Sequence, residues 1–95
     1  MNYRLSDAAL ADLENIHGFG TRRFGMVQAD AYVLDLLEFI DEVATMPLTY
    51  NLIGSLAPDV RRAVWKSNSI YYRAKSGVEV LRIIGRQDPS RALDI

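Results

Sequence analysis

Seven basic side chains crowd into one stretch, Val60 to Asp88: Arg61, Arg62, Lys66, Arg73, Lys75, Arg82 and Arg86. Guanidinium groups bind phosphates and carboxylates through a two-pronged fork, so a surface built from them fits a nucleic acid, a reacting phosphate or an acidic protein. What the chain lacks removes other chemistry. Without cysteine there are no disulfides, thiolate metal sites or thiol nucleophiles. The single histidine, His17, cannot build a histidine-based metal cluster alone. It reads as a polar residue near a helix C-terminus, favourable there when protonated. No metal and no cofactor is expected.

The net charge of −1 hides an asymmetry. Residues 1–60 hold Arg4, Arg22 and Arg23 against nine acids, whereas residues 61–95 hold eight basic residues against Glu79, Asp88 and Asp94. This split points to one acidic and one basic surface. It falls short of the overall basic balance expected of an autonomous nucleic-acid binder. At 95 residues, with 49% hydrophobic and 24% charged side chains, the sequence fits one small globular domain. No run approaches the ~18 apolar residues of a membrane helix. The start, MNYRLSDAAL, lacks a basic segment followed by an apolar one, so the cytosol is the default expectation and no membrane partner is foreseen.

The elements that would position these residues begin with a short extended stretch, Asn2 to Leu5. Ser6 is a good helix N-cap, with Asp7 in the first turn and Ala9, Leu10, Leu13 and Ile16 at roughly helical spacing. Gly18 and Gly20 are expected to end that helix. A second helix is expected from about Thr21 to about Thr45, with an apolar face through Val33, Leu36, Leu37, Ile40, Val43 and Ala44. Asp30, Asp35, Glu38, Asp41 and Glu42 fall mostly on its solvated side, and Pro47 stops it. Leu48 to Pro58 reads as a loop.

Three runs rich in β-branched and aromatic residues follow: Val60–Lys66, Ser69–Ala74 and Val78–Gly85, joined by turns at Ser67-Asn68 and Lys75-Ser76-Gly77. Alternation puts Arg61, Ala63 and Trp65 on one face of the first, and Trp65 marks the face that the helices cover. Arg61 sits at the strand's beginning, where its head can reach the rim. In the last run Val80, Arg82 and Ile84 oppose Glu79, Leu81 and Ile83, and apolar residues on both faces suit a central strand. Arg82 must be paired, with Glu79 or Asp88, or lie at an open groove. Gly85 to Pro89 is a turn and Ser90–Leu93 a helical stub. Neither the helices nor the strands can bury their apolar faces alone, so the expectation is one α+β domain with two helices across one face of a sheet.

YRLSDAALADLENI, then FGMVQADAYVLDLLEFIDEVATMP, then IYYR, then VLRIIGRQDPSRAL together resemble the ParE branch of the RelE/ParE toxins, the toxin halves of bacterial type II toxin–antitoxin modules. The resemblance spans essentially the whole chain. It implies a β-α-α-β-β-β fold, with a helical hairpin on one face of an antiparallel sheet. It implies a cognate antitoxin whose C-terminal segment wraps the toxin in a hetero-oligomeric complex. That complex would repress its own operon, so the toxin meets DNA only through the antitoxin or a regulator.

Function forks within the superfamily. RelE-type relatives are ribosome-dependent mRNA endonucleases, with basic side chains at the phosphate and an aromatic or histidine near the C-terminus for proton transfer. ParE-type relatives inhibit DNA gyrase and have no catalytic site of their own. Arg61 and Arg82 match recurrent basic positions of the superfamily. The chain departs from the nuclease pattern after its last strand, where Gly85-Arg86-Gln87-Asp88 offers glycine in place of histidine and no tyrosine follows Tyr72. The resemblance therefore implies a non-enzymatic toxin with gyrase as target, and Arg61, Arg62, Tyr72, Arg73, Arg82 and Arg86 as contacts to target or antitoxin. The alternatives are an mRNA endonuclease of RelE type and a degenerate, non-toxic member that only binds antitoxin.

Overall fold

Ser6 turns the chain from strand into helix. Its Oγ accepts from the Ala9 N–H at 3.0 Å and donates to the Leu81 carbonyl at 2.8 Å, while its own N–H reaches the Val80 carbonyl at 2.9 Å. One residue thus caps helix α1 (Asp7–Phe24) and ties the end of strand β1 (Tyr3–Leu5) to the far end of the chain. Such a cap contributes about 1 kcal/mol. The remaining elements are α2 (Met26–Thr45), β2 (Val60–Trp65), β3 (Asn68–Ala74) and β4 (Val78–Gly85). The structure, a computed structural model, describes residues 2–54 and 57–85. Arg86, Asp88, the rest of the expected turn through Pro89 and the stub Ser90–Leu93 lie outside the described residues.

The first helix does not stop at Gly18 or Gly20; it runs on to Phe24. The second helix accordingly starts at Met26 and not near Thr21, whose Oγ1 donates back to the His17 carbonyl at 2.8 Å within α1. The break falls at Gly25, whose φ of +90° is the left-handed region that glycine enters without steric cost. Gly20 has a different task. A Cβ there would lie 3.3 Å from the Ala29 Cβ, so its smallness lets the two helices approach closely. His17 crosses the hairpin, its Nε2 lying 2.7 Å from an Asp30 carboxylate oxygen.

The two helices pack on one face of a four-stranded sheet of order β1-β4-β3-β2, an α+β domain with the expected element order. β2, β3 and β4 are antiparallel, while β1 runs parallel beside β4, which makes the sheet mixed. β4 is a central strand. The core between helices and sheet gathers Leu13, Leu36, Ile40, Val43, Ile70, Tyr72, Val80 and Ile83, with Trp65 packed against it. Burying an aliphatic side chain of this kind contributes roughly 1.5–3 kcal/mol. A smaller cluster, Val60, Tyr71 and Ile84, lies on the opposite face.

Strict alternation fails in β4. Tyr71 pairs with Arg82 and the next residue, Tyr72, with Val80, so Leu81 is an extra residue in a β-bulge. Beyond it the faces exchange: Ile83 enters the helix-side core, and Ile84 leaves the face it would share with Val80. The first hairpin turn is Lys66-Ser67, with Lys66 at φ 53°, and Asn68 belongs to β3. Lys66 holds its ammonium 4.7 Å from the centroid of the Trp65 ring.

Candidate functional site

Arg82, the residue with the most open role in the sequence, is clamped inside the molecule. Its Nε donates to the Asp12 Oδ2 at 2.8 Å and its Nη2 to Oδ1 at 3.0 Å. Asp12 Oδ2 also accepts the Ile83 N–H at 2.9 Å. Side-chain exposure is 11% for the arginine and 2% for the aspartate, so this is a desolvated, two-pronged pair. Among the described residues the partner is Asp12 of α1 and not Glu79, which the local sequence offered, while Asp88 lies outside the described residues. β1 pairs β4 only as far as Val80, so the Ile83 N–H lies past the last β1 partner and Asp12 satisfies it. A sequence signal for Asp12 existed. It lies within the periodic stripe that holds Ala9, Leu13 and Ile16, a place where a carboxylate needs a partner.

Arg61 is also spoken for. Its Nη1 donates to the Tyr50 carbonyl at 2.7 Å and reaches the Leu48 carbonyl at 3.5 Å. Tyr72, fully buried, donates its hydroxyl to the Pro47 carbonyl at 2.6 Å. Burial raises the Tyr72 phenol above its usual pKa, against a smaller opposite pull from Arg61. Both residues fasten the loop after α2 to the sheet. That loop also covers the outer edge of β2, where the Arg62 N–H binds the Asn51 carbonyl and the Ile53 N–H binds the Val60 carbonyl.

Arg62 and Arg73 are exposed, and Arg62 Nε donates to Ser69 Oγ at 2.9 Å. Arg62 pairs Tyr71 across the strands and Arg73 pairs Val60, so both stand on the sheet face away from the helices. The structure thus separates the expected set. Tyr72 and Arg82 turn inward, half-buried Arg61 holds the loop after α2, Arg62 and Arg73 face solvent, and Arg86 lies outside the described residues.

A feature with no counterpart in the sequence reading is a groove of about 650 Å³ between the helical hairpin and the end of the sheet. Ile16, Phe19, Phe24, Ala29 and Ile83 give it apolar walls, and Asn68 and Tyr32 contribute a polar pair, Nδ2 to Oη at 2.7 Å. Phe19 is 51% and Phe24 60% exposed. Exposed aromatics at the rim of an apolar groove mark a binding surface, since burying such rings on association gains much free energy. Arg23 sits 5.7 Å from the Phe19 centroid and 5.9 Å from that of Phe24. Among the described residues no His, Asp and Glu cluster is arranged to hold a metal ion, and no helix is long and apolar enough to cross a membrane.

Comparison with known proteins adds a family. The model described as ParE toxin of type II toxin-antitoxin system, parDE, matches residues 3–89. Toxin ParE1 of Caulobacter vibrioides is 32% identical over 90 residues, covering 95% of this chain and 94% of that protein. Toxin ParE1 of Mycobacterium tuberculosis is 32% identical over 94 residues, covering 96% of each. A solved structure titled "Chromosomal ParDE TA system from P. aeruginosa" superposes with a TM-score of 0.77 over 90% of this chain and 95% of that one. At 24% identity that likeness speaks for the fold.

Proposed function

The chain belongs to the ParE toxin family of type II toxin–antitoxin systems, and from that premise we propose that it arrests growth by binding DNA gyrase and is held inactive by its cognate antitoxin. One observation carries the binding mechanism over catalysis. The two arginines at recurrent basic positions, Arg61 and Arg82, are engaged by the chain itself, by backbone carbonyls and by Asp12. A guanidinium that stabilises a reacting phosphate must point its donors at the substrate. The burial of Tyr72, the last tyrosine of the chain, and its bond to the Pro47 carbonyl support the same reading, since a proton-transfer group needs access to its substrate.

The groove supports the neutralisation half of the reading. An antitoxin segment that folds on binding needs an apolar trough to offset its lost conformational entropy, and Phe19, Phe24 and Ile16 supply one. The complex would form in the cytoplasm and act on DNA only through its antitoxin or a regulator. Expressing the chain without antitoxin tests the proposal: filamentation with continued protein synthesis is expected. Immediate translation arrest with new translation-dependent cuts in mRNA would instead identify a nuclease. Normal growth would identify a non-toxic, antitoxin-binding member.

A further inference from the structure

The sheet face away from the helices carries an arginine-bordered strip that neither the core nor the groove uses. Across the order β1-β4-β3-β2 the register sets Arg4 opposite Glu79, Glu79 opposite Arg73, and Arg73 opposite Val60. Cross-strand partners share a face, and Val60 belongs to the cluster away from the helices. The neighbouring row sets Arg62 opposite Tyr71. Arg4, Arg62 and Arg73 are all exposed, with Glu79 half-buried between two of them. Beside this row, Lys75 and Asp59 neutralise each other at 3.0 Å. The strip is therefore positive, whereas α2 exposes Asp30, Asp35, Glu38, Asp41 and Glu42 and has no basic residue.

We propose that this strip is the surface by which the toxin grips its cellular target, and that its occupant is an acidic polypeptide segment of that target. The inference rests on the toxin reading above and gives that toxin a contact surface. Arg4 and Arg73 stand two strand spacings apart, about 9.6 Å, too far to share one carboxylate, so the segment must carry several. Glu79 in the middle of the row repels a uniformly charged phosphate backbone but suits a peptide with mixed side chains. The carboxylates of α2 also oppose a polyanion the size of a nucleic acid. Apolar surface on this face is limited, since Tyr71 and Ile84 are only 9% and 4% exposed and Val64, at 51%, stands at its β2 edge beside Arg62. Binding there is electrostatic, fast and salt-sensitive, the behaviour of an encounter with a target. Lasting retention of an antitoxin falls to the apolar groove.

The test compares the wild-type full chain with Arg4→Glu/Arg62→Glu/Arg73→Glu and with the corresponding triple lysine variant. The readouts are growth arrest, antitoxin affinity, thermal melting, and binding of a glutamate-rich peptide and a single-stranded RNA of equal length. The glutamate variant is expected to lose growth arrest and peptide binding by roughly a hundredfold while antitoxin affinity stays within about threefold. The lysine variant, which keeps charge but not the fork, falls between them. The proposal is overturned if the glutamate variant arrests growth like wild type. It is also overturned if antitoxin affinity falls as steeply as toxicity, or if wild type prefers the RNA and the three substitutions abolish that preference. Should gyrase be unaffected by wild type while arrest still depends on the three arginines, the gyrase assignment fails and the strip stands. Where wild type does not arrest growth, peptide binding alone decides, and its absence overturns the proposal.

Discussion

The Asp12 carboxylate receives both Nε and Nη2 of Arg82, at 2.8 and 3.0 Å, and the Ile83 N–H at 2.9 Å besides. One α1 side chain thereby fixes the end of β4. Asp12→Ala removes the carboxylate from a desolvated guanidinium and should cost about 3–5 kcal/mol in urea unfolding. The double variant Asp12→Leu/Arg82→Met should cost clearly less than the two single changes added together, because it removes both charges at once. Additive losses would show that the pair does not act as a unit.

Gly18 and Gly25 should respond to alanine in opposite directions. At Gly18 the nearest atom to a new Cβ is the flexible Arg22 Nη1 at 3.4 Å, in helical backbone, so Gly18→Ala is expected to stabilise by roughly 0.5–1 kcal/mol. At Gly25 space is open but φ is +90°, so Gly25→Ala should destabilise by about 1 kcal/mol or more. Denaturant midpoints measure both, and equal effects would contradict the hairpin geometry.

Alkaline titration reads the buried phenols. Burial raises Tyr72, and burial followed by the nearby Asp41 charge raises Tyr3, both from the usual 10.0. With folded pKa above unfolded, this stability is fully present below pH 10.0 and is lost as pH climbs through the raised folded values. Tyr72→Phe should cost roughly 1 kcal/mol near neutrality through the lost bond to Pro47 and should flatten the alkaline decline. An unchanged slope in thermal melts above pH 10.0 would place the transition elsewhere.

The aromatic rim of the groove should matter for association far more than for folding. Phe19 and Phe24 are more than half exposed, so Phe19→Asp/Phe24→Asp should leave the melting temperature within about 3 °C. The same pair should weaken antitoxin binding by a hundredfold or more, on the order of 2.7 kcal/mol. Calorimetric titration with the antitoxin would detect this directly, and unchanged affinity would remove the groove from the neutralising interface.

The element order was legible in the sequence because period and punctuation agree along most of the chain. Ser6, Pro47 and the alternation through Trp65 each act locally, and each acts in the fold as its type suggests. What escaped depended on distant partners. Gly18 and Gly20 look like a stop until Ala29 is packed against the second of them. The Leu81 bulge arises from pairing with β3, and no pattern within β4 announces it. The expected site divided for the same reason. Whether an arginine faces solvent or a buried carboxylate is decided by tertiary contact, so the sequence could demand a partner or a groove for Arg82 without naming Asp12. The groove joins residues from both helices and the sheet end, and no linear stretch contains it.

The central claim is tested most directly by incubating purified toxin with gyrase, relaxed plasmid and ATP, with and without the antitoxin. The expected result is loss of supercoiling and accumulation of cleaved plasmid at micromolar toxin, both reversed by antitoxin. Full supercoiling with no cleaved plasmid at that concentration would contradict gyrase as the target.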